Sequence, residues 1–74
     1  MSLKKVYTRR IETNNDFTYI GEAEVGSEEN EPVWRISRLY NSPVDAFTDL
    51  AISWAEGNSN FDKIWDNRET INYL

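Results

Sequence analysis

The sequence predicts a mainly β domain: a small antiparallel sandwich or partly open barrel of about four or five strands, with one short helix near the C-terminus. Apolar residues alternate with a period of two over several stretches, and the spacing becomes helical only near the end. Aromatic residues make up 14% of a chain that is 39% hydrophobic, so a few large side chains must fill the core. At 74 residues, one domain spans 1–74.

The first two strands form a predicted hairpin. Residues 3–12 mix β-branched, aromatic and charged side chains in alternation, and residues 13–16 read TNND. Asn and Asp tolerate positive φ and hydrogen-bond their own backbone, which favours a turn there. Residues 17–25 alternate again, with Gly21 among the apolar positions. A glycine inside a strand predicts a bulge or the close approach of another side chain.

Two further strands follow an acidic loop. Residues 26–32 read GSEENEP and predict the loop, and residues 33–40 alternate as a strand. Trp34, Ile36 and Arg38 share one face of that strand. A break at 41–43 follows, and 44–49 leave open a helical turn or an irregular connection. Residues 50–55 predict another strand.

The period changes after the loop at 56–60. Phe61, Ile64, Trp65 and Arg68 fall at i, i+3, i+4 and i+7, which predicts about two helical turns over 61–68. Ser59 lies three residues before Asp62, so the two side chains form a candidate capping pair. Residues 70–74 alternate and predict a last short strand.

The predicted core consists of the large apolar residues that these patterns place in phase with one another. Its members are Trp34, Ile36, Ile52, Trp54, Phe61 and Ile64. The tryptophans are also candidate stacking platforms for sugars or single-stranded nucleic acid. Each is in phase with an isoleucine in a chain poor in Leu and Val, so we interpret them as core.

The net charge of −5 divides unevenly along the chain. Residues 1–10 carry +4 and residues 11–74 carry −9. An acidic body predicts no nucleic-acid partner and no anionic membrane, because phosphate contact needs positive surface. The basic strand or arm at 1–11 is either a solubilising edge or a contact for an acidic neighbour. Its candidate contact residues are Lys4, Lys5, Arg9 and Arg10.

Residues for common catalytic and metal chemistry are scarce. The chain has no Cys and no His, which removes a thiolate nucleophile, an imidazole base and zinc-thiolate sites. Its glycines form no phosphate-binding loop. Asp62 and Asp66 would share a helical face, and with Asn58 and Asn60 they form a candidate calcium site. The simpler interpretation is that the two acids belong to a helix and pair with arginines. We therefore expect no enzyme activity, no cofactor and no metal.

The order of motifs in residues 17–74 resembles a group of small tailed-bacteriophage proteins. It runs YIGEAEVGS at 19–27, WRISRL at 34–39, ISWAEG at 52–57 and FDKIWDNRETINY at 61–73. WAxG followed by FDxxWDNR is the most specific part. The resemblance implies a non-enzymatic virion structural protein in a tail, neck, connector or fibre-attachment position.

The resemblance also implies partners and a location. The partners are other virion proteins, contacted by repeated copies in a symmetric assembly. The location is the virion, and the chain is made in the host cytoplasm. A carbohydrate- or host-surface-binding module, a head decoration protein and a small regulatory protein remain alternatives. The chain departs from the pattern in its acidic loop and its apolar 41–49 connection, where Pro43, Val44 and Phe47 are candidate contacts.

The WDNR sequence also has a structural interpretation, as a C-terminal clasp formed by Trp65, Asp66, Asn67 and Arg68. We expect Trp65 to pack under the sheet and the next two residues to cap or end the helix. Arg68 then holds a carboxylate bidentately and ties the last strand down. The alternative is that this motif contacts another protein.

Overall fold

The computed structural model describes residues 5–40 and 52–74, and these residues form five strands and one 3₁₀ turn. The elements are β1 (Tyr7–Thr13), β2 (Phe17–Glu24), β3 (Pro32–Tyr40), β4 (Ile52–Trp54), β5 (Lys63–Ile64) and the turn Trp65–Asn67. The contact predictions at Lys4, Pro43, Val44 and Phe47 lie outside the described residues.

The described strands form one open antiparallel sheet in the order β1-β2-β3-β4. β5 pairs with the start of β3, whereas β4 pairs with residues 37–39 of the same strand. The mainly β class and the number of strands are therefore confirmed. Among the described residues, a C-terminal segment rather than a second sheet covers one face, so the architecture is a single open layer.

The β1–β2 hairpin is confirmed, and its turn uses the predicted chemistry. The pairing runs without a break from Tyr7 opposite Glu24 to Thr13 opposite Thr18. At the turn, Asn14 Oδ1 accepts hydrogen bonds from the backbone N–H groups of Asp16 at 2.9 Å and Phe17 at 2.7 Å. This Asn side chain stabilises the tight reversal by satisfying two backbone donors.

The buried core lies on one face of the sheet and is closed by the C-terminal segment. Its members are Tyr19, Ala23, Trp34, Ile36, Ala55 and Trp65. Trp34 and Ile36 are fully buried as predicted, whereas Trp54 and Ile64 are only half-buried. The alternation in β2 and β3 brings the buried side chains onto the same face.

The core prediction is wrong for two residues. Ile52 is 60% exposed and Phe61 is 42% exposed. Ile52 pairs with Leu39, so the pleat directs it to the face opposite Ile36. Phe61 lies on that same outer face, where its ring centroid is 5.6 Å from that of Tyr7.

The helix predicted over 61–68 is present only as the 3₁₀ turn Trp65–Asn67. Lys63 and Ile64 pair with β3, and Ile64 has an extended backbone with φ −106° and ψ 120°. Backbone pairing to β3 therefore overrides the i, i+3, i+4, i+7 spacing, and no α-helix exists there for Ser59 and Asp62 to cap. The predicted strand at 70–74 is reduced to a bridge between Tyr73 and Ala55.

Candidate interaction surface

Among the described residues, the second face of the sheet lies opposite the buried core, and we call it the open face. Its side chains include Tyr7, Arg9, Ile11, Ile20, Glu22, Val33, Arg35, Leu39, Ile52 and Trp54, with Phe61 at the rim. Ile11 is 65% exposed and Ile52 is 60% exposed. Aliphatic side chains on an exposed sheet face are a common feature of interaction surfaces.

An arginine–glutamate network lies at the centre of the open face. Glu22 accepts a hydrogen bond from Arg9 Nη2 at 2.8 Å and one from Arg35 Nη2 at 2.7 Å. The Arg35 guanidinium lies 5.4 Å from the ring centroid of Trp54 and 5.2 Å from that of Phe61. Cation–π contact with both rings fixes the guanidinium in place.

Glu22 is held in its charged form by this network. Hydrogen bonds from Arg9 and then Arg35 lower the pKa of Glu22 below its ordinary value, against a smaller opposing effect of burial. One carboxylate therefore faces two guanidinium groups, which leaves one positive charge in excess at this point.

A cavity of about 310 Å³ opens beside the network. The rings of Tyr7 and Phe61 lie on its wall, together with Val33. Its polar lining is Lys5, Glu24 and Ser27. This volume is at the lower end of the range for small-ligand sites.

The basic residues of the first strand are paired within the chain. The pairs are Lys5 with Glu24 at 3.3 Å, Arg9 with Glu22 at 2.8 Å and Arg10 with Glu29 at 2.8 Å. In the sequence, residues 1–10 carry a charge of +4 and no acidic residue. In the fold, three of those four positive charges each have an acidic neighbour. The prediction that an unpaired basic arm attracts an acidic partner is therefore weakened, because these charges are already paired within the chain.

The C-terminal clasp begins with Trp65, which lies against β2 on the covered face. Trp65 is 4% exposed and its ring centroid is 5.9 Å from that of Trp34. A Cβ atom added to Gly21 would lie 2.5 Å from Trp65 Cε3 and 2.6 Å from Cζ3. Gly21 therefore marks a close approach, one of the two predicted reasons for a glycine in this strand.

Arg68 joins the chain end to β1. Its Nε and Nη2 atoms donate to Glu12 Oε1 at 3.0 and 2.6 Å, and its guanidinium lies 4.7 Å from the Trp65 ring centroid. The Arg68 carbonyl accepts a hydrogen bond from the Tyr73 hydroxyl at 2.7 Å. The predicted carboxylate contact is present, but its partner belongs to the first strand.

Asp66 and Asn67 are exposed and belong to the 3₁₀ turn, which ends at Asn67. The Asp66 backbone N–H donates to the Glu29 carbonyl at 3.0 Å, so the 3₁₀ turn is tied to the acidic loop. The Asn67 carbonyl accepts hydrogen bonds from the backbone N–H and hydroxyl of Thr70 at 2.9 and 3.0 Å. Their described contacts thus use the backbone.

The calcium hypothesis required Asp62 and Asp66 to share one face of a helix, and residues 62–66 do not form such a helix. Asp62 forms an ion pair with Lys63, a buried ammonium that also donates to Asn58 Oδ1 at 2.8 Å. Within residues 5–40 and 52–74 no three acidic side chains cluster closely enough to hold a metal ion. No pattern in the sequence indicates that Lys63 is buried.

Comparisons with known proteins add no relationship. No family model, curated protein or solved structure matches the chain. None of the described segments forms a helix of the length and apolar character needed to cross a membrane. The likeness to tailed-bacteriophage proteins therefore stays a prediction from the motifs quoted above.

Proposed function

We propose that this chain is a non-enzymatic structural protein of a tailed-bacteriophage virion, and that it works by protein–protein contact. The open face carries this proposal, because it exposes aliphatic and aromatic side chains around a fixed Arg–Glu–Arg network. The motif order supplies the phage context. The tail, neck, connector or fibre-attachment region is the proposed position.

The chemistry of the open face suits a protein partner. Trp, Tyr and Arg are the residues enriched where interface binding energy concentrates. Trp54, Tyr7 and Arg35 all lie on this face, with the Arg35 guanidinium against the Trp54 ring. Ile11 and Ile52 add apolar area to either side. Burial of this apolar area by a partner removes it from water and so stabilises the complex. Repetition of a weak contact by the symmetry of a particle multiplies its effect.

Mass spectrometry of purified particles tests the virion assignment. We expect tryptic peptides of the chain in density-purified particles of the phage that encodes it, in a constant ratio to the major capsid protein. The matched control is the supernatant of the same preparation. A chain that is abundant in infected cells but missing from particles would show that the proposal is wrong.

Variants of the open face test whether its exposed apolar side chains contact other virion proteins. Ile52→Ser should keep the parental melting temperature, because the side chain is 60% exposed, and should reduce incorporation into particles. Val25→Ser is the control, since Val25 is 62% exposed but does not belong to the open face. Equal incorporation of the two variants would count against this surface.

A glycan-binding module is the second candidate function, and the cavity beside Tyr7 and Phe61 favours it. Aromatic rings next to Glu24, Ser27 and Lys5 offer a stacking surface and groups that hydrogen-bond sugar hydroxyls. The tryptophans themselves are poor stacking platforms for a sugar, because Trp34 and Trp65 are buried and Trp54 is half-buried. Binding on a glycan array that Phe61→Ser abolishes would favour this candidate.

A further inference from the structure

The outer edge of β1 presents a defined row of backbone groups. The Val6 carbonyl accepts from the Val25 N–H at 2.9 Å, and the Asn14 N–H donates to the Phe17 carbonyl at 2.9 Å. In an antiparallel ladder, alternate residues point both backbone groups at the partner strand. The backbone N–H and C=O groups of the even-numbered residues of β1 therefore point towards β2. Those of Tyr7, Arg9 and Ile11 point outward, away from the sheet.

Within the part of the chain that the structure describes, this edge lacks two common protections against strand pairing, a proline and a bulge. β1 has seven residues in continuous register with β2, with no proline and no bulge. Natural edges are commonly blunted by prolines, bulges or charged side chains, and β1 has only the last of these. Here Tyr7 and Ile11 are 47% and 65% exposed, and Arg9 is paired with Glu22. The opposite edge differs, since Trp54 exchanges two backbone hydrogen bonds with Leu74 at 3.2 and 3.3 Å.

We propose that β1 is a docking edge to which an extended, acidic segment of a partner protein adds as a further strand. Main-chain hydrogen bonds to Tyr7, Arg9 and Ile11 hold the segment, and a carboxylate of the segment lies opposite Arg9. Addition of a strand to an open edge is an established mode of peptide recognition. The inference rests on the proposed function, because it names the kind of partner that the interaction surface takes.

Arg9 argues for an acidic partner. It donates to Glu22 through Nη2 and its side chain is 62% exposed, so further guanidinium donors face solvent. Glu22 is shared with Arg35, which leaves positive charge in excess at Arg9. The Arg9 carbonyl has a 3.5 Å contact with Arg10 Nη1, a long contact that a partner N–H can replace.

A second copy of the chain fits this edge less well. Antiparallel pairing of two β1 strands centred on Arg9 places the two arginines directly opposite each other. Like charges at directly opposed positions destabilise a sheet. A carboxylate at that position instead completes an alternating row of acid, Arg9 and acid with Glu22.

Two synthetic peptides test the docking edge on the full chain. The probe is a capped nine-residue peptide of alternating valine and threonine, with valine at both ends and aspartate at the centre. The control peptide has lysine at the centre. We expect the aspartate peptide to bind about tenfold more tightly and to slow amide exchange at Tyr7, Arg9 and Ile11.

Two variants make the test specific. Ile11→Pro removes an outward N–H and leaves the β1–β2 ladder intact, so it should abolish peptide binding while keeping the far-UV circular dichroism of the parent. Arg9→Glu should reverse the peptide preference in favour of lysine. If Ile11→Pro does not fold, the charge reversal still decides the question.

Three outcomes would overturn the docking proposal. They are equal affinity for the two peptides, no change in amide exchange at the edge, and a peptide-free dimer that Ile11→Pro dissociates. The last would make a second copy the occupant. Particle mass spectrometry separates this result from the proposed function, because a chain absent from virions can still bind the aspartate peptide, and a virion chain can have a closed edge.

Discussion

At the scale of single residues, Gly21 shows how one small side chain sets the packing of the core. It lies under the six-membered ring of Trp65, with Trp34 as its other near neighbour. The backbone of Gly21 needs no positive φ, so the requirement for glycine is one of space. The alternation of β2 predicted a close approach or a bulge here, but the sequence could not say which side chain approaches.

Gly21→Ala should therefore lower the free energy of unfolding by about 1–3 kcal/mol, the usual cost of overpacking a core. Urea denaturation of the variant measures the change. The control is the same substitution in a Trp65→Leu background, where the ring is gone and the cost should fall sharply. An unchanged midpoint in the parent background would contradict the close packing.

Tyr73 is a second residue whose environment has a measurable consequence. Burial, followed by the nearby Tyr19, raises the pKa of Tyr73 to about 12, against smaller effects of Arg38 and Arg68. The neutral phenol is therefore favoured in the folded state. This contribution to stability is complete below pH 10, the ordinary pKa of tyrosine, and is lost as the pH rises through about 12.

An ultraviolet titration of phenolate at 295 nm should thus show one tyrosine ionising near pH 12. Tyr73→Phe should remove that step and flatten the loss of thermal stability between pH 10 and 12. The step persisting in Tyr73→Phe would assign it to another tyrosine and contradict the expectation.

At the scale of elements, the C-terminal clasp joins the two ends of the described fold. Arg68 binds Glu12 on β1, covers the ring of Trp65 and accepts from Tyr73 through its carbonyl. The contact between Arg68 and Glu12 links residues 56 positions apart. The clasp is therefore interpreted as the part of the chain that holds its C-terminal segment on the sheet.

Arg68→Ala should lower the free energy of unfolding by about 1–2 kcal/mol, because hydrogen bonds to a charged group contribute more than an exposed ion pair. Arg9→Ala is the matched control, since the Arg9 side chain is 62% exposed and its pair with Glu22 is a surface pair. Its change should stay within about 0.5 kcal/mol. If Arg68→Ala melts like the parent but fails to assemble, the inter-protein interpretation of the motif is the correct one.

The elements also show where sequence patterns work. The β1–β2 hairpin was predictable because Asn14 carries turn chemistry within a few residues. The helix over 61–68 was not, because the pairing of Lys63 and Ile64 with β3 depends on residues about thirty positions away. Periodicity reports which residues share a face only when the backbone conformation is already known.

At the scale of the whole molecule, the described sheet is two-sided in character. One face is closed by Trp65 and Tyr73, and the other exposes Ile11 and Ile52. The proposed contacts all belong to the second side or to the β1 edge. The asymmetry also divides the three tryptophans, since Trp34 and Trp65 are buried and Trp54 is half-buried on the open face.

Acrylamide quenching of tryptophan fluorescence should distinguish Trp54 from the two buried tryptophans. We expect blue-shifted emission in which Trp54 supplies the accessible component, because Trp34 is fully buried and Trp65 is 4% exposed. Trp54→Phe should leave emission that is largely protected from acrylamide. Free quenching of the remaining two tryptophans would contradict the buried core.

Several features follow from the sequence alone. Period-two alternation and a high aromatic content determine the β class, the faces of β2 and β3 and the burial of Trp34 and Ile36, because side-chain direction alternates along any strand. Turn residues determine the first hairpin. The absence of Cys and His limits the available chemistry.

Tertiary structure decided the rest. Strand register placed Ile52 on the open face, and the pairing of β5 with β3 separated Phe61 from Trp65. The fold also brought Glu22, Glu24 and Glu29 to the basic residues of the first segment, which turned a +4 block into paired charges. Contacts between distant residues set all of these features, and local patterns carry no information about which distant residues meet.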